Sequence, residues 1–229
     1  VIQSHNVWIR AALNNDRLYG TRPGDVAYNC LPLYNSAAWV ANIYRALSTG
    51  IPCALDEQFS VSKFWGRIRH YGATQTMTLG AMHMFLWNEP RRTDDADNPL
   101  RVASMVPMPQ KLIAPFCERF GLEAIVQGLG QSEVMPILSK VETPARQCKP
   151  NALGKLFDDM EVKLLRDDGE EAGPGEVGEF SIRPLAPPRL SMMICWPHTC
   201  ASRTLSMRAS VSVLPPGGNG TISRTGRLG

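Results

Sequence analysis

Residues 124–133 read AIVQGLGQSE: an apolar run, Ala124-Ile125-Val126, opens into Gln127, glycines at 128 and 130, Gln131, Ser132 and Glu133. The order reads as a buried strand that delivers a loop at its carboxyl end. Gly128 and Gly130 lack a Cβ, so the backbone there can come close to a ligand. Ser132 offers a hydroxyl, and Glu133 a hard carboxylate of the kind that binds Mg²⁺. The set suits a nucleotide phosphate with its metal. A structural turn is the plainer alternative, because glycine-rich turns after strands are common.

Upstream of this stretch the periodicity alternates between helix and strand. Residues 6–19 have helical spacing and end at the turn TRPGD. A strand follows at 25–33, a helix at 36–48, a short strand at 53–55 and a helix at 61–71 capped by Ser60. Residues 73–79 read as a buried strand, 82–87 as a short helix, 100–105 as a strand and 109–120 as a helix. Strands separated by helices require crossover connections, so the expected fold class is α/β, a mainly parallel sheet with flanking helices. Ligands of such sheets gather beyond the carboxyl ends of the strands, where residues 127–133 stand.

Downstream the pattern changes. Residues 154–184 read GKLFDDMEVKLLRDDGEEAGPGEVGEFSIRP, two strands at 161–166 and 177–183 joined by an acidic turn, which predicts a smaller β-rich subdomain. The division is 1–150 for the α/β part, 151–187 for the β-rich subdomain and 188–229 for an irregular tail.

The order of the two segments resembles the adenylate-forming, AMP-binding superfamily of acyl-CoA synthetases, luciferases and adenylation domains. In that family a tyrosine-glycine-x-threonine-glutamate loop precedes a glycine-lysine turn, a strand, an acidic hairpin and a Pro-Gly-Glu-x-Gly-Glu turn. Here the loop is Leu129-Gly130-Gln131-Ser132-Glu133, and VIQSHN at 1–6 and CLPLYN at 30–35 resemble two further family segments. The likeness covers residues 1 to 187 and is nearest to carnitine- or crotonobetaine-type CoA ligases.

The resemblance implies an ATP-dependent carboxylic acid:CoA ligase. A carboxylate attacks the α-phosphate of ATP, pyrophosphate leaves, and coenzyme A captures the acyl-adenylate. Because nucleophile and electrophile are both anionic, a metal and fixed donors must neutralise charge and align the reactants. By this likeness Ser132 and Glu133 are the catalytic pair, Glu133 holding Mg²⁺. Ser104, Met105, Val106, Gln127, Gly128, Leu129, Gly130, Gln131 and Ser132 line the nucleotide, and Asn35 and Trp39 touch the acid. Leu129 replaces the tyrosine that stacks on adenine, a loss of about 1 kcal/mol. Arg227 replaces the family's ribose-binding aspartate, and a guanidinium accepts no hydrogen bond. A phosphate loop would precede Val1, and the catalytic lysine belongs to a later domain. The 229 residues are therefore expected to be an inactive internal fragment of an enzyme, with a non-catalytic nucleotide- or acyl-binding remnant as the alternative.

Composition limits the other classes. A net charge of +3 without a basic block gives no footprint for nucleic acid or an anionic membrane. No apolar run approaches the ~18 residues of a spanning helix, which makes a cytoplasmic protein the expectation. Six cysteines without CxxC pairs indicate neither a zinc site nor a disulfide framework. The tail contains no Asp or Glu after Glu179 and is rich in Ser, Arg, Cys, Met and Pro, which we read as a shift of reading frame near Pro187, against a natural disordered tail. His5 receives no role, and His83 a packing role between Met82 and Met84.

Overall fold

The computed structural model describes residues 3–132, 134–146, 148–149, 152–173, 176–185, 205–212 and 223–224. In order, α1 is His5–Tyr19, β1 Ala27–Asn29, a π-helical turn Ala38–Ile43, α2 Tyr44–Thr49, β2 Cys53–Leu55 and α3 Val61–Tyr71. There follow β3 Gln75–Leu79, α4 Met82–Asn88, β4 Val102–Val106, α5 Gln110–Phe120, β5 Ala124–Gln131 and β6 Met135–Glu142. The remaining strands are β7 Lys155–Leu156, β8 Met160–Leu165, β9 Val177–Pro184, β10 Leu205–Ser212 and β11 Ser223–Arg224.

The chain divides into two compact units. One comprises Trp8–Gly128 with Lys140–Gln147, the other Val1–Val7, Leu129–Ser139 and Cys148–Gly229. The first sheet runs β2-β1-β3-β4-β5-β6-β7. Pairing is parallel from β2 through β5, while β6 and β7 pair antiparallel. The expected mainly parallel α/β sheet is thus the observed one.

Alternation along the central strands explains the helices on both faces. Ala103, Met105 and Ile125 point into a core with Phe64, Ile68, Leu86, Ile113, Phe116 and Phe120 from α3, α4 and α5. Val102, Ala124 and Val126, one residue out of step, meet Tyr19 of α1 instead. A strand buried on both faces has apolar residues in succession, the run seen at 124–126. Each fully buried Phe, Leu or Ile contributes about 1.5–3 kcal/mol. α3 and α5 stop at Gly72 and Gly121, whose φ of 60° and 72° suit the left-handed cap that glycine adopts without strain. Ser60 occupies the N-cap position of α3, but its hydroxyl makes no capping bond and faces Ser62 at 3.4 Å, so the expected side-chain cap is absent.

In the smaller unit β8 and β9 form the antiparallel pair expected from the two strands around the acidic turn. Phe180, Ile182, Leu164 and Met160 pack there with Ile137 and Leu138. β10 and β11 extend this second sheet within the stretch read as irregular. LSMRASVS alternates apolar and polar, a strand signal that the tail's overall composition masks. Arg227 and most of the supposed frame-shifted tail lie outside the described residues.

Candidate functional site

The turn 106–108 joins the carboxyl ends of β3 and β4 to the middle of β5. Gly80 N–H donates to the Val106 carbonyl at 2.9 Å, and Met108 N–H donates to Gln127 Oε1 at 3.0 Å. His83 Nε2 lies 2.8 Å from the Pro107 carbonyl and Nδ1 3.1 Å from the Thr78 hydroxyl. A carbonyl only accepts, so Nε2 carries the proton and Nδ1 accepts from Thr78. Burial moves the imidazole pKa below its ordinary value of 6.5, keeping the ring neutral.

The same logic fixes Gln127. A backbone N–H can only donate, so the carboxamide oxygen must face Met108 and the amide nitrogen is left as the free donor. That nitrogen is buried and has no hydrogen-bond partner among the described residues, on a side chain only 7% exposed. Gln127 Nε2 is therefore a buried donor without a partner among the described residues, midway along β5.

The other expected nucleotide residues are placed as follows. Ser104 and Met105, adjacent on β4, take opposite faces: Met105 is fully buried in the main core, whereas Ser104 lies on the face of Val102, where the Tyr19 hydroxyl donates to the Thr76 carbonyl at 3.0 Å and burial pushes its pKa up to about 12. Val106 ends β4 partly exposed, and Gly128 is half-buried. Leu129 packs, partly buried, against the core of the smaller unit. Gln131 and Ser132 are exposed, and the Ser132 carbonyl accepts from Gln3 Nε2. Glu133 lies outside the described residues.

Much of the expected loop is strand, since β5 continues to Gln131. Its sheet neighbour β6 supplies the ordered pairing that the glycine-rich sequence does not favour by itself. Gly130 has a local reason: a Cβ there would lie 2.7 Å from the Met135 carbonyl oxygen. The close approach that this glycine permits is to the chain's own backbone. Met135 itself has φ 58°, a left-handed conformation that costs a residue with a side chain roughly 1–2 kcal/mol.

Asn35 and Trp39 follow β1. Asn35 Oδ1 accepts from the Ala37 N–H at 2.9 Å and so closes its own turn. Trp39 sits in the π-helical turn, its Nε1 donating to the Leu33 carbonyl at 2.7 Å and its ring edge-on to Trp8 at 6.4 Å. π-Helical turns are rare and concentrate at functional sites. The sequence, read as a helix over 36–48, gives no sign of the π-helical turn.

His83 is fully buried, in keeping with a packing role between Met82 and Met84, and its ring also makes the two hydrogen bonds above. It is one polar side chain in the otherwise apolar MHMFLW, and a polar group kept in a buried stripe must have partners, which was the available signal. At the opposite, amino-terminal edge of the sheet a cavity of about 380 Å³ is lined by Arg22, Asp25, Thr74, Arg101 and Glu123 among others. Its charges are already paired, Arg101 with Asp25 at 2.6 Å and Arg22 with Glu123 at 3.2 Å, so it offers no unbalanced charge to a ligand. Among the described residues no three His, Cys, Asp or Glu side chains could together hold a metal ion, and no helix is long and apolar enough to cross a membrane.

Parallel strands in the order 2-1-3-4-5, with helices on both faces, define a doubly wound α/β domain whose ligand end is the carboxyl edge. The chain belongs to the AMP-binding enzyme family, whose model matches residues 1–185. It is 31% identical over 181 residues to the medium/long-chain-fatty-acid–CoA ligase FadD17 of Mycobacterium marinum, covering 77% of this chain and 34% of that protein. It is 27% identical over 185 residues to human long-chain fatty acid transport protein 1, covering 76% of this chain and 28% of that one. Among solved structures, O-succinylbenzoate coenzyme A synthetase from Bacillus subtilis, in complex with ATP and magnesium ion, superposes with a TM-score of 0.78 at 20% identity, over 97% of this chain and 46% of that one. A benzoate CoA ligase from Burkholderia xenovorans gives 0.79 at 21% identity, over 97% and 45%. These structural likenesses concern the fold alone. The chain thus spans about a third or less of the length of the sequence relatives named.

Proposed function

We propose that this chain is part of an ATP-dependent acid–thiol ligase, which joins a carboxylic acid to coenzyme A through an acyl-adenylate. The observation that carries the reading is the family match over residues 1–185. The free, buried donor of Gln127 at the ligand edge of the sheet supports it. In this reading Gln127, Gly128, Ser104, Met105 and Val106 belong to the nucleotide side, together with Leu129, Gly130, Gln131 and Ser132, and Asn35 and Trp39 to the acid side. Ser132 would donate to the α-phosphate and Glu133 would hold Mg²⁺, which screens the phosphate charge that repels the attacking carboxylate. The fatty-acid substrates in the names of the relatives point to an aliphatic acid. We place the protein in the cytoplasm and assign 1–150 to the α/β part, 151–187 to a β-rich subdomain and 188–229 to a frame-shifted tail, which translation of the gene in its other frames checks.

The 229 residues alone are proposed to release no pyrophosphate. The test is a protein extended to the length of the relatives, assayed for pyrophosphate release from Mg·ATP with a panel of carboxylic acids. Acid-dependent release that Glu133→Ala abolishes supports the ligase. A second reading, a nucleotide- or acyl-binding remnant, is favoured by Leu129, which packs into the smaller unit's core instead of offering an aromatic face. Adenosine-phosphate binding by the extended protein without pyrophosphate release would select it.

A further inference from the structure

Three hydrogen bonds hold the turn 106–108, and they come from two sides. The segment after β3 supplies two, Gly80 N–H to the Val106 carbonyl at 2.9 Å and His83 Nε2 to the Pro107 carbonyl at 2.8 Å. β5 supplies the third, Gln127 Oε1 accepting from Met108 N–H at 3.0 Å. Pro107 and Met108 are adjacent, so the bond that fixes the Pro107 carbonyl also fixes the peptide plane through which the Met108 N–H is presented. His83 is itself held, fully buried, by the Thr78 hydroxyl. A line of contacts therefore runs Thr78, His83, Pro107-Met108, Gln127, wholly within the larger unit.

We propose that His83 is a positioning residue for the nucleotide side of this enzyme. By fixing the turn 106–108 it holds the Gln127 carboxamide in the one orientation that leaves its Nε2 as a donor for the base or ribose of an adenosine phosphate. The inference rests on the nucleotide reading of the β4 and β5 ends. It adds that a histidine with no ligand contact of its own sets the hydrogen-bonding polarity of the site. Adenosine phosphates have ring and ribose acceptors that match such a donor. Loss of the His83 bond would free the peptide plane, and the carboxamide would then sample both orientations.

The test uses the isotopically labelled 229-residue chain, with His83→Leu, which keeps bulk and loses the donor, and His83→Gln, which retains one. In His83→Leu the Met108 amide exchanges with solvent about tenfold faster or more, while the Ile125 and Val102 amides keep their protection. His83→Gln stays within about threefold of the original, and AMP affinity follows the same order, about tenfold weaker in His83→Leu and restored in His83→Gln. Unchanged Met108 protection in a folded His83→Leu chain, uniform loss across Ile125 and Val102, or no rescue by His83→Gln overturns the proposal. A measurement on the unaltered chain covers failure of a variant to fold: ¹⁵N spectra of His83 must show the Nε2–H tautomer with a slowly exchanging proton, and the Nδ1–H tautomer refutes it. If the unaltered protein, extended to the length of the relatives, does not bind AMP, the nucleotide reading falls. That failure is distinguished from failure of the linkage, because the exchange and tautomer measurements do not use AMP.

Discussion

The Met108 N–H donates to Gln127 Oε1 at 3.0 Å, tying the turn before α5 to the middle of β5. Met108 is itself buried, so its amide has no ready substitute for that acceptor. Gln127→Leu removes the acceptor and should cost about 1–3 kcal/mol, the cost of a buried donor left unpaired. Urea unfolding of the two chains measures it, and a difference below about 0.5 kcal/mol would show that the turn finds another partner.

Stability should depend on pH through His83. Burial lowers its folded pKa beneath the ordinary 6.5, so the unfolded chain takes up the proton first as pH falls. The stabilisation is complete above pH 6.5 and is lost as pH drops through the lower folded value. His83→Gln, which has nothing to titrate there, should flatten this part of the profile. Thermal unfolding between pH 7.5 and pH 5 checks it, and parallel curves for the two chains would contradict it.

Gly130→Ala should destabilise the smaller unit. The new methyl would sit 2.7 Å from the Met135 carbonyl oxygen and 3.1 Å from its carbon, both backbone atoms that cannot rotate away. Overpacking of this kind costs about 1–3 kcal/mol. Thermal unfolding reads the loss, and an unchanged melting temperature would mean that the backbone at Met135 yields freely.

A buried ion pair in the larger unit offers a sharper test of magnitude. Lys140 Nζ lies 2.5 Å from Glu142 Oε1, and Gln110 bridges the two, donating to Glu142 Oε2 at 2.7 Å and accepting from Lys140 at 3.1 Å. The Glu142 side chain is 0% exposed. Lys140→Met strands that carboxylate and should cost about 3–5 kcal/mol, whereas removing both charges together, as Lys140→Met with Glu142→Leu, should cost clearly less than the sum of the single changes. Additive losses would show that the two charges do not interact.

Much of the fold was legible because periodicity reports burial directly. The strand at 53–55 is found at its expected bounds, and the helix at 61–71 likewise, since Phe64 and Ile68 are spaced by one turn and both face the core. β6 was not expected, because MPILSKVE has a proline at its second position and carries Lys140 and Glu142, two charges that only their pairing with each other and with Gln110 makes compatible with burial. That pairing spans about thirty positions and leaves no local trace. The end of β5 was misjudged for a related reason: glycines at 128 and 130 signal a loop by propensity, yet the neighbouring strand overrides them. Gln127 reads as a ligand-edge residue from its position after an apolar run. Its orientation depends on Met108, and through the turn on His83, which no spacing rule connects.

The central claim, that Gln127 presents a nucleotide-reading donor at the carboxyl edge of the sheet, is tested most directly by titrating AMP into the ¹⁵N-labelled chain and following side-chain amides. A saturable shift of the Gln127 NH₂ signals, together with the Val106 and Gly128 backbone amides, is the expected result. Shifts confined to the Arg22 and Arg101 cleft at the opposite edge, or Gln127 signals that do not move while AMP binds elsewhere, would contradict it.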